Sequence, residues 1–166
     1  MKPFLYCPYC RAALKKKKFN GIIRRYCPDC EFIQYRNPVP SVGALAVNNN
    51  SEILLIKRGR EPKIGVWVPP SGFIELGETA EETCLRELKE ETGMEGKIEK
   101  LLGVFLENTE LYGDNLVVMY QVRVTGGKLQ AGDDASDARF FSLSDLPDLT
   151  FNCFKKSLKN LKLSLD

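Results

Sequence analysis

The sequence predicts a mixed α/β (α+β) sandwich with a small, cysteine-framed β segment in front of it. Three features carry that expectation. Two Cys-x2-Cys pairs bracket the N-terminal segment, apolar strand patterns separated by turn residues fill most of the remainder, and two stretches of helical period interrupt them. A chain of 166 residues, 43% hydrophobic and 28% charged, suits one domain of ordinary size with an appendage, and can bury a core without disulfide staples.

The first segment, residues 1–37, is framed by "CPYC" (7–10) and "CPDC" (27–30) with sixteen residues between them. Each pair fits a tight turn, and a hairpin between the turns brings four sulfurs into a tetrahedron. The spacing therefore predicts a zinc ribbon in which Cys7, Cys10, Cys27 and Cys30 close the shell of one structural Zn²⁺. Two disulfides or a redox dithiol are the rivals. The N-terminus, "MKPFLYCPYC", lacks the apolar middle of a signal peptide, and no apolar run approaches the ~20 residues of a membrane span. A reducing, cytoplasmic location without a membrane partner is the expectation.

Charge divides the chain as well. Residues 1–37 hold nine Lys/Arg against Asp29 and Glu31, a formal +7, while the remainder sums to −5. The run Lys15–Lys18 falls where the tip of a hairpin would expose it. With Phe19 and Tyr26 interleaved, it also raises a rival reading, a ribbon that binds nucleic acid.

The seam is "YRNPVPS" (35–41), where Pro38 and Pro40 are expected to break strand pairing. Next, "SVGALAVNNNSEILLIKRG" reads as strand, turn, strand, and the Pro/Gly-rich "VWVPPSGF" leads into a helix at about 79–92. Strands near 97–107 and 115–125, a Gly/Asp-rich loop and the short strand "ARFFSL" follow. "LTFNCFKKSLKNLKLSL" closes the chain as an amphipathic helix, with Phe151, Phe154, Leu158 and Leu161 at helical spacing. Cys84 and Cys153 have no partners at metal spacing and read as buried small hydrophobes. Trp67 reads as core or lid.

The central helix carries the chemistry. Thr79 with Glu82 three residues on makes a capping box, and Gly93 stands at the stop. Cys84, Leu85 and Leu88 form its apolar stripe. At ~100° per residue, Glu87, Glu90 and Glu91 crowd into an arc beside that stripe, where unpaired carboxylates repel one another. A divalent cation relieves the repulsion, and carboxylates with open water positions suit Mg²⁺ or Mn²⁺. Arg86 and Glu90, four apart, can pair at the rim. The chain contains no histidine, so general-base chemistry falls to carboxylates, thiols, hydroxyls or amines. The bland alternative is a solvated acidic helix face.

The stretch "GFIELGETAEETCLRELKEETGM" resembles the Nudix box. Gly72, Glu78, Arg86, Glu87, Leu88, Glu90, Glu91, Gly93 and Met94 fill its fixed positions. The resemblance implies a Nudix α/β/α sandwich over 38–166 and hydrolysis of a nucleoside diphosphate linked to another moiety. By position it implies that Glu87, Glu90 and Glu91, with the Ser71 carbonyl, ligate Mg²⁺ or Mn²⁺. Glu87 or Glu91 would also activate the attacking water, and Arg86 would orient a box glutamate. A further acid from a later loop is expected among Asp133, Asp134 and Asp137, with solvated turn residues as the alternative. A homodimer is expected on resemblance alone.

The segment "LLGVFLENTELYGDN" stands where ribbon-bearing NADH pyrophosphatases carry Ser-Gln-Pro-Trp-Pro-Phe-Pro, and Glu110 stands where many ADP-ribose pyrophosphatases carry proline. "YRNPVPSVGALAV" and "PPSGF" look most like ribbon-bearing enzymes that act on FAD and ADP-ribose and release AMP. Arg58 is a candidate phosphate contact, against plain surface charge. Tyr112 is a candidate stacking partner for a base or flavin, against simple packing. The alternatives are NADH or capped-RNA hydrolysis, an RNA-binding ribbon, and sanitation of oxidised nucleoside triphosphates.

Overall fold

The computed structural model describes residues 3–109, 111, 113–132 and 134–162. Tyr112 and Asp133, two of the candidate site residues, lie outside the described residues, as does Glu110. The chain divides into two compact units, Met1–Pro38 and Val39–Asp166.

The first unit is a three-stranded antiparallel sheet in the order β1 (Lys15–Phe19), β2 (Ile22–Tyr26), β3 (Ile33–Gln34). Two matching loops precede β1 and follow β2. Arg11 N–H donates to the Cys7 carbonyl at 2.9 Å and Glu31 N–H to the Cys27 carbonyl at 3.1 Å. Arg11 (φ 65°) and Glu31 (φ 60°) close the two loops in left-handed conformations, an uncommon state for such residues. The hairpin tip is Asn20-Gly21, with φ of 47° and 85°, as a two-residue turn between twisted strands requires. Lys15–Lys18 are therefore not at the tip. They form β1 itself, because Asn-Gly accepts positive φ and the lysines leave the strand free to pair with β2.

The second unit is a seven-stranded mixed sheet between two helices. Its path runs β10 (Ala135–Phe141), β5 (Ile53–Arg58), β4 (Val39–Val47), β9 (Gly113–Gly127), β8 (Met94–Thr109). The two short strands β6 (Trp67–Val68) and β7 (Ser71–Phe73) pair with β5 and β4. The Pro/Gly-rich passage "VWVPPSGF" thus supplies two short strands. Pro40, expected to interrupt pairing, sits inside β4 opposite Leu116, and its carbonyl accepts the Ile74 N–H at 3.3 Å. A proline lacks only the donor, so its acceptor can still serve the sheet.

Alternation along the strands builds two cores. Val42, Ala44, Leu54, Tyr120 and Val122 pack on one face with Cys84 and Leu88 of α1 (Ala80–Thr92). Leu45, Ile53, Leu55, Val117 and Met119 pack on the other with Cys153, Phe154 and Leu161 of α2 (Asn152–Lys162). The result is an α/β/α sandwich. Trp67 packs beside the second core, edge-on to Phe141 at 4.9 Å. Truncating a fully buried residue such as Leu88 would cost about 2–5 kcal/mol. No helix among the described residues is long and apolar enough to cross a membrane.

β4 meets β5 only at Val47–Ile53, whereas Ser41–Gly43 pair with β7. This change of partner sets Ser71 and Gly72 beside the middle of β4, where α1 passes over them.

Candidate active site

Helix α1 is held at both ends as its sequence requires. Thr79 accepts the Glu82 N–H, and the Glu82 carboxylate accepts the Thr79 N–H at 2.8 Å. Gly93 closes the helix at φ 68°, and a Cβ there would also stand 2.4 Å from the Lys128 carbonyl oxygen. Only glycine meets both demands. The rotation of the helix is therefore set, with Cys84 and Leu88 buried and the glutamates beside them.

Arg86 organises those glutamates. Its Nε and Nη2 fork onto Glu78 at 2.7 and 3.0 Å, and its Nη1 donates to Glu87 at 2.7 Å and to Glu90 at 2.9 Å. The Phe73 carbonyl takes a further contact from Nη2 at 3.3 Å. A planar guanidinium with five donors can satisfy three carboxylates in this way, and a lysine cannot. The Arg86 and Thr83 contacts hold the Glu78 carboxyl down at about 2.

Glu91 is treated differently. It is buried, and its Oε2 accepts the Ser71 N–H at 2.8 Å. Burial, then the charges of Glu87 and Asp134, push its carboxyl up to about 8, against the opposing pull of the Ser71 N–H and Arg58. Glu87 lies directly over Gly72, where an added Cβ would be 2.0 Å from Oε1. Gly72 thus leaves the space that this carboxylate occupies.

These groups line a cavity of about 430 Å³ together with Arg58, Ser71, Glu107 and Asp134. Among the described residues, seven carboxylates and three arginines line it. Arg58, which lines the cavity, donates from Nε to the Pro62 carbonyl at 2.9 Å. Of the candidate loop acids, Asp134 lines the cavity and pairs with Arg60. Asp137 does not line it, and pairs with Arg139 at 2.6 Å.

Some positions had no site role in the sequence reading. Glu78 anchors Arg86, and its place eight residues ahead of the arginine was the available signal. Glu107 lines the cavity and accepts the Cys153 N–H at 3.0 Å, at the start of α2. Phe151 and Phe154 add an edge-on aromatic pair at 5.6 Å to the cavity wall. Nothing local marks Glu107, a carboxylate in a strand of mixed composition.

The oxygen donors fit hard divalent cations. Glu87 is fixed against Gly72, Glu90 is partly exposed, and Glu91 is a buried carboxyl that a cation would convert to its charged form. The three carboxylates are not drawn into one point. Among the described residues, the group of three or more Cys, Asp or Glu ligand atoms lying within 4.8 Å of one another is Cys7, Cys10, Cys27 and Cys30. Their sulfurs approach at 3.3 to 3.6 Å. That is too long for a disulfide and close to the ~3.8 Å edge of a tetrahedron with Zn–S bonds of about 2.3 Å. All six cysteines are free, and the N-terminal cluster is compatible with a zinc ribbon.

Residues 37–161 match the family model of the NUDIX domain. An ADP-ribose pyrophosphatase of Methanocaldococcus jannaschii is 42% identical over 119 residues, covering 71% of this chain and 70% of that protein. The NAD-capped RNA hydrolase NudC of Vibrio atlanticus is 29% identical over 145 residues, covering 87% of this chain and 51% of that one. The chain thus spans about half the length of the NudC relatives it matches. Among solved structures, a NUDIX hydrolase from Nitrosomonas europaea superposes with a TM-score of 0.81 at 26% identity, over 94% of this chain and 89% of the other.

Proposed function

We propose that this chain, which belongs to the NUDIX family, is a pyrophosphohydrolase that cleaves the diphosphate linkage of ADP-ribose or FAD and releases AMP. The excess of acid in the cavity carries the reading. A dianionic diphosphate is repelled by seven carboxylates facing three arginines unless divalent cations come with it. The residues that would hold Mg²⁺ or Mn²⁺ are Glu87, Glu90 and Glu91, with the Ser71 carbonyl beside them. When bound, such ions neutralise the phosphates and lower the pKa of a coordinated water.

The protein's own groups do the rest. Arg86 holds Glu87 and Glu90 in place, anchored by Glu78 through two hydrogen bonds. Glu91, or Glu87 above Gly72, accepts the proton as water adds to one phosphorus and the bridging P–O bond breaks. Arg58 meets the phosphate not under attack. Likeness to an ADP-ribose pyrophosphatase over more than two thirds of both chains supports ADP-ribose as substrate. The likeness of "YRNPVPSVGALAV" to ribbon-bearing relatives supports FAD. One structural Zn²⁺ on Cys7, Cys10, Cys27 and Cys30, and a cytoplasmic location that keeps the six thiols reduced, belong to the same reading.

The test is product analysis with ADP-ribose, FAD, NADH, an oxidised nucleoside triphosphate and NAD-capped RNA, in Mg²⁺ or Mn²⁺. AMP with ribose 5-phosphate, or AMP with FMN, is expected. Cleavage confined to capped RNA would replace the substrate assignment with the reading that the NudC likeness favours.

A further inference from the structure

The sheet of the N-terminal unit sorts its cations between two faces. Directly paired residues of antiparallel strands share a face, and neighbours along a strand alternate. Lys15, Lys17 and Phe19 pair with Tyr26, Arg24 and Ile22, so these side chains share one side. Lys17 stands 5.5 Å from the centres of both the Phe19 and Tyr26 rings. Tyr35, just past β3, lies against the Arg24 guanidinium at 4.5 Å. Three cations and three rings are therefore interleaved on this face. The opposite face carries Lys16, Lys18 and Arg25, paired with Arg25, Ile23 and Gln34, and none of these three rings; Phe32 and Tyr9 pack against each other beside the cysteines instead. No acidic residue occurs between Met1 and Pro28, and the two acids of the unit, Asp29 and Glu31, belong to the second cysteine loop.

Lysines on an edge strand such as β1 also discourage aggregation. That account applies to all four lysines alike and leaves the rings unexplained. An anionic membrane is a competing partner, because Ile22 and Ile23 are exposed beside the turn. Of the three rings, however, Phe19 alone flanks the turn; it meets Tyr26 edge-on at 6.0 Å, and Tyr35 lies past β3 against Arg24, a row that suits unpaired bases better than insertion into lipid.

We propose that the face formed by Lys15, Lys17, Arg24, Phe19, Tyr26 and Tyr35 binds single-stranded nucleic acid. The cations take backbone phosphates, and the rings offer stacking surfaces to unpaired bases. A duplex keeps its bases stacked on one another and cannot use those rings. The inference does not depend on the hydrolase reading.

Fluorescence anisotropy of the full chain with a labelled single-stranded RNA of mixed sequence tests it, with single-stranded DNA, duplex RNA and anionic vesicles alongside. The double variant Lys15→Gln/Lys17→Gln should bind the single strand roughly tenfold more weakly at low salt, and Tyr35→Ala should lose a comparable factor. Lys16→Gln/Lys18→Gln removes the same charge from the same strand on the other face, and should change affinity less than threefold. Three phosphate contacts predict a slope of about −2 in log K against log salt. Equal losses in the two lysine pairs would overturn the proposal, since diffuse charge would then suffice. Absence of binding, or face-dependent binding to vesicles but not to RNA, would overturn it too. If Tyr35→Ala fails to fold, the lysine pairs, whose side chains are exposed, decide the matter. AMP release from ADP-ribose by the same preparations reports separately on the hydrolytic site, so either reading can fail alone.

Discussion

In the N-terminal unit, four sulfurs from two copies of one short loop come within 4.8 Å of one another. In the second unit, three carboxylates from a single helix are held on separate partners, Glu87 and Glu90 by Arg86 and Glu91 by the Ser71 N–H. The thiols need only two local turns and the hairpin between them to converge, and four of them would complete a closed zinc shell. The carboxylates need a strand and a glycine brought from elsewhere, besides the arginine of their own helix, and such ligands leave positions for water and substrate. A cluster of thiols and an open set of carboxylates thus differ in how much tertiary structure each demands.

The sharpest way to break the contrast is to remove the buried carboxylate to which the proposed mechanism gives the proton. Glu91→Gln keeps the shape and the acceptor for the Ser71 N–H but removes the charge. Turnover of ADP-ribose should fall by about 10²–10⁴-fold with an unchanged circular dichroism spectrum. Wild-type rates in this variant would remove Glu91 from the chemistry.

Next in size is Gly72→Ala. Its Cβ would stand 2.0 Å from Glu87 Oε1, so the carboxylate must swing away. A displacement of about 1 Å predicts a loss near 10²-fold in kcat, seen in steady-state kinetics, while the melting temperature moves little. For the closed site, Cys27→Ser should take bound zinc from one per chain to none by elemental analysis. Full zinc content in that variant would refute the four-thiol cage.

How much could be read in advance follows the same division between local and distant. The Thr79–Glu82 capping box, the Gly93 stop and the cysteine loops depend on residues a few positions apart, and all are visible as spacing. The split pairing of β4, with Gly72 placed beneath Glu87, depends on strands far apart in the chain. So does the arrival of Glu107 at the cavity. Pro40 misled because a missing donor is a weaker veto than it looks when the carbonyl is the group in use. Lys15–Lys18 misled because lysine runs suggest exposed turns, while the turn itself was written in Asn20-Gly21.

The smallest effect probes Arg86. Its fork holds the Glu78 carboxyl at about 2, below its ordinary 4.5. A depressed carboxyl contributes stability above its unfolded value and loses it as pH falls. Glu78→Gln should therefore be less stable than the wild type above about pH 4.5, with the difference shrinking as pH falls toward 2. Urea denaturation across that range checks it, and a difference independent of pH would mean that packing, not charge, is what Glu78 supplies.

The most direct test of the whole account is the rate of AMP release from ADP-ribose as Mg²⁺ is titrated, in the wild type and in Glu87→Gln. The account predicts no release without the ion, saturation in the wild type, and a rate lower by about 10²-fold or more in the variant even at high Mg²⁺. Release that needs no divalent ion, or that survives Glu87→Gln unchanged, would contradict it.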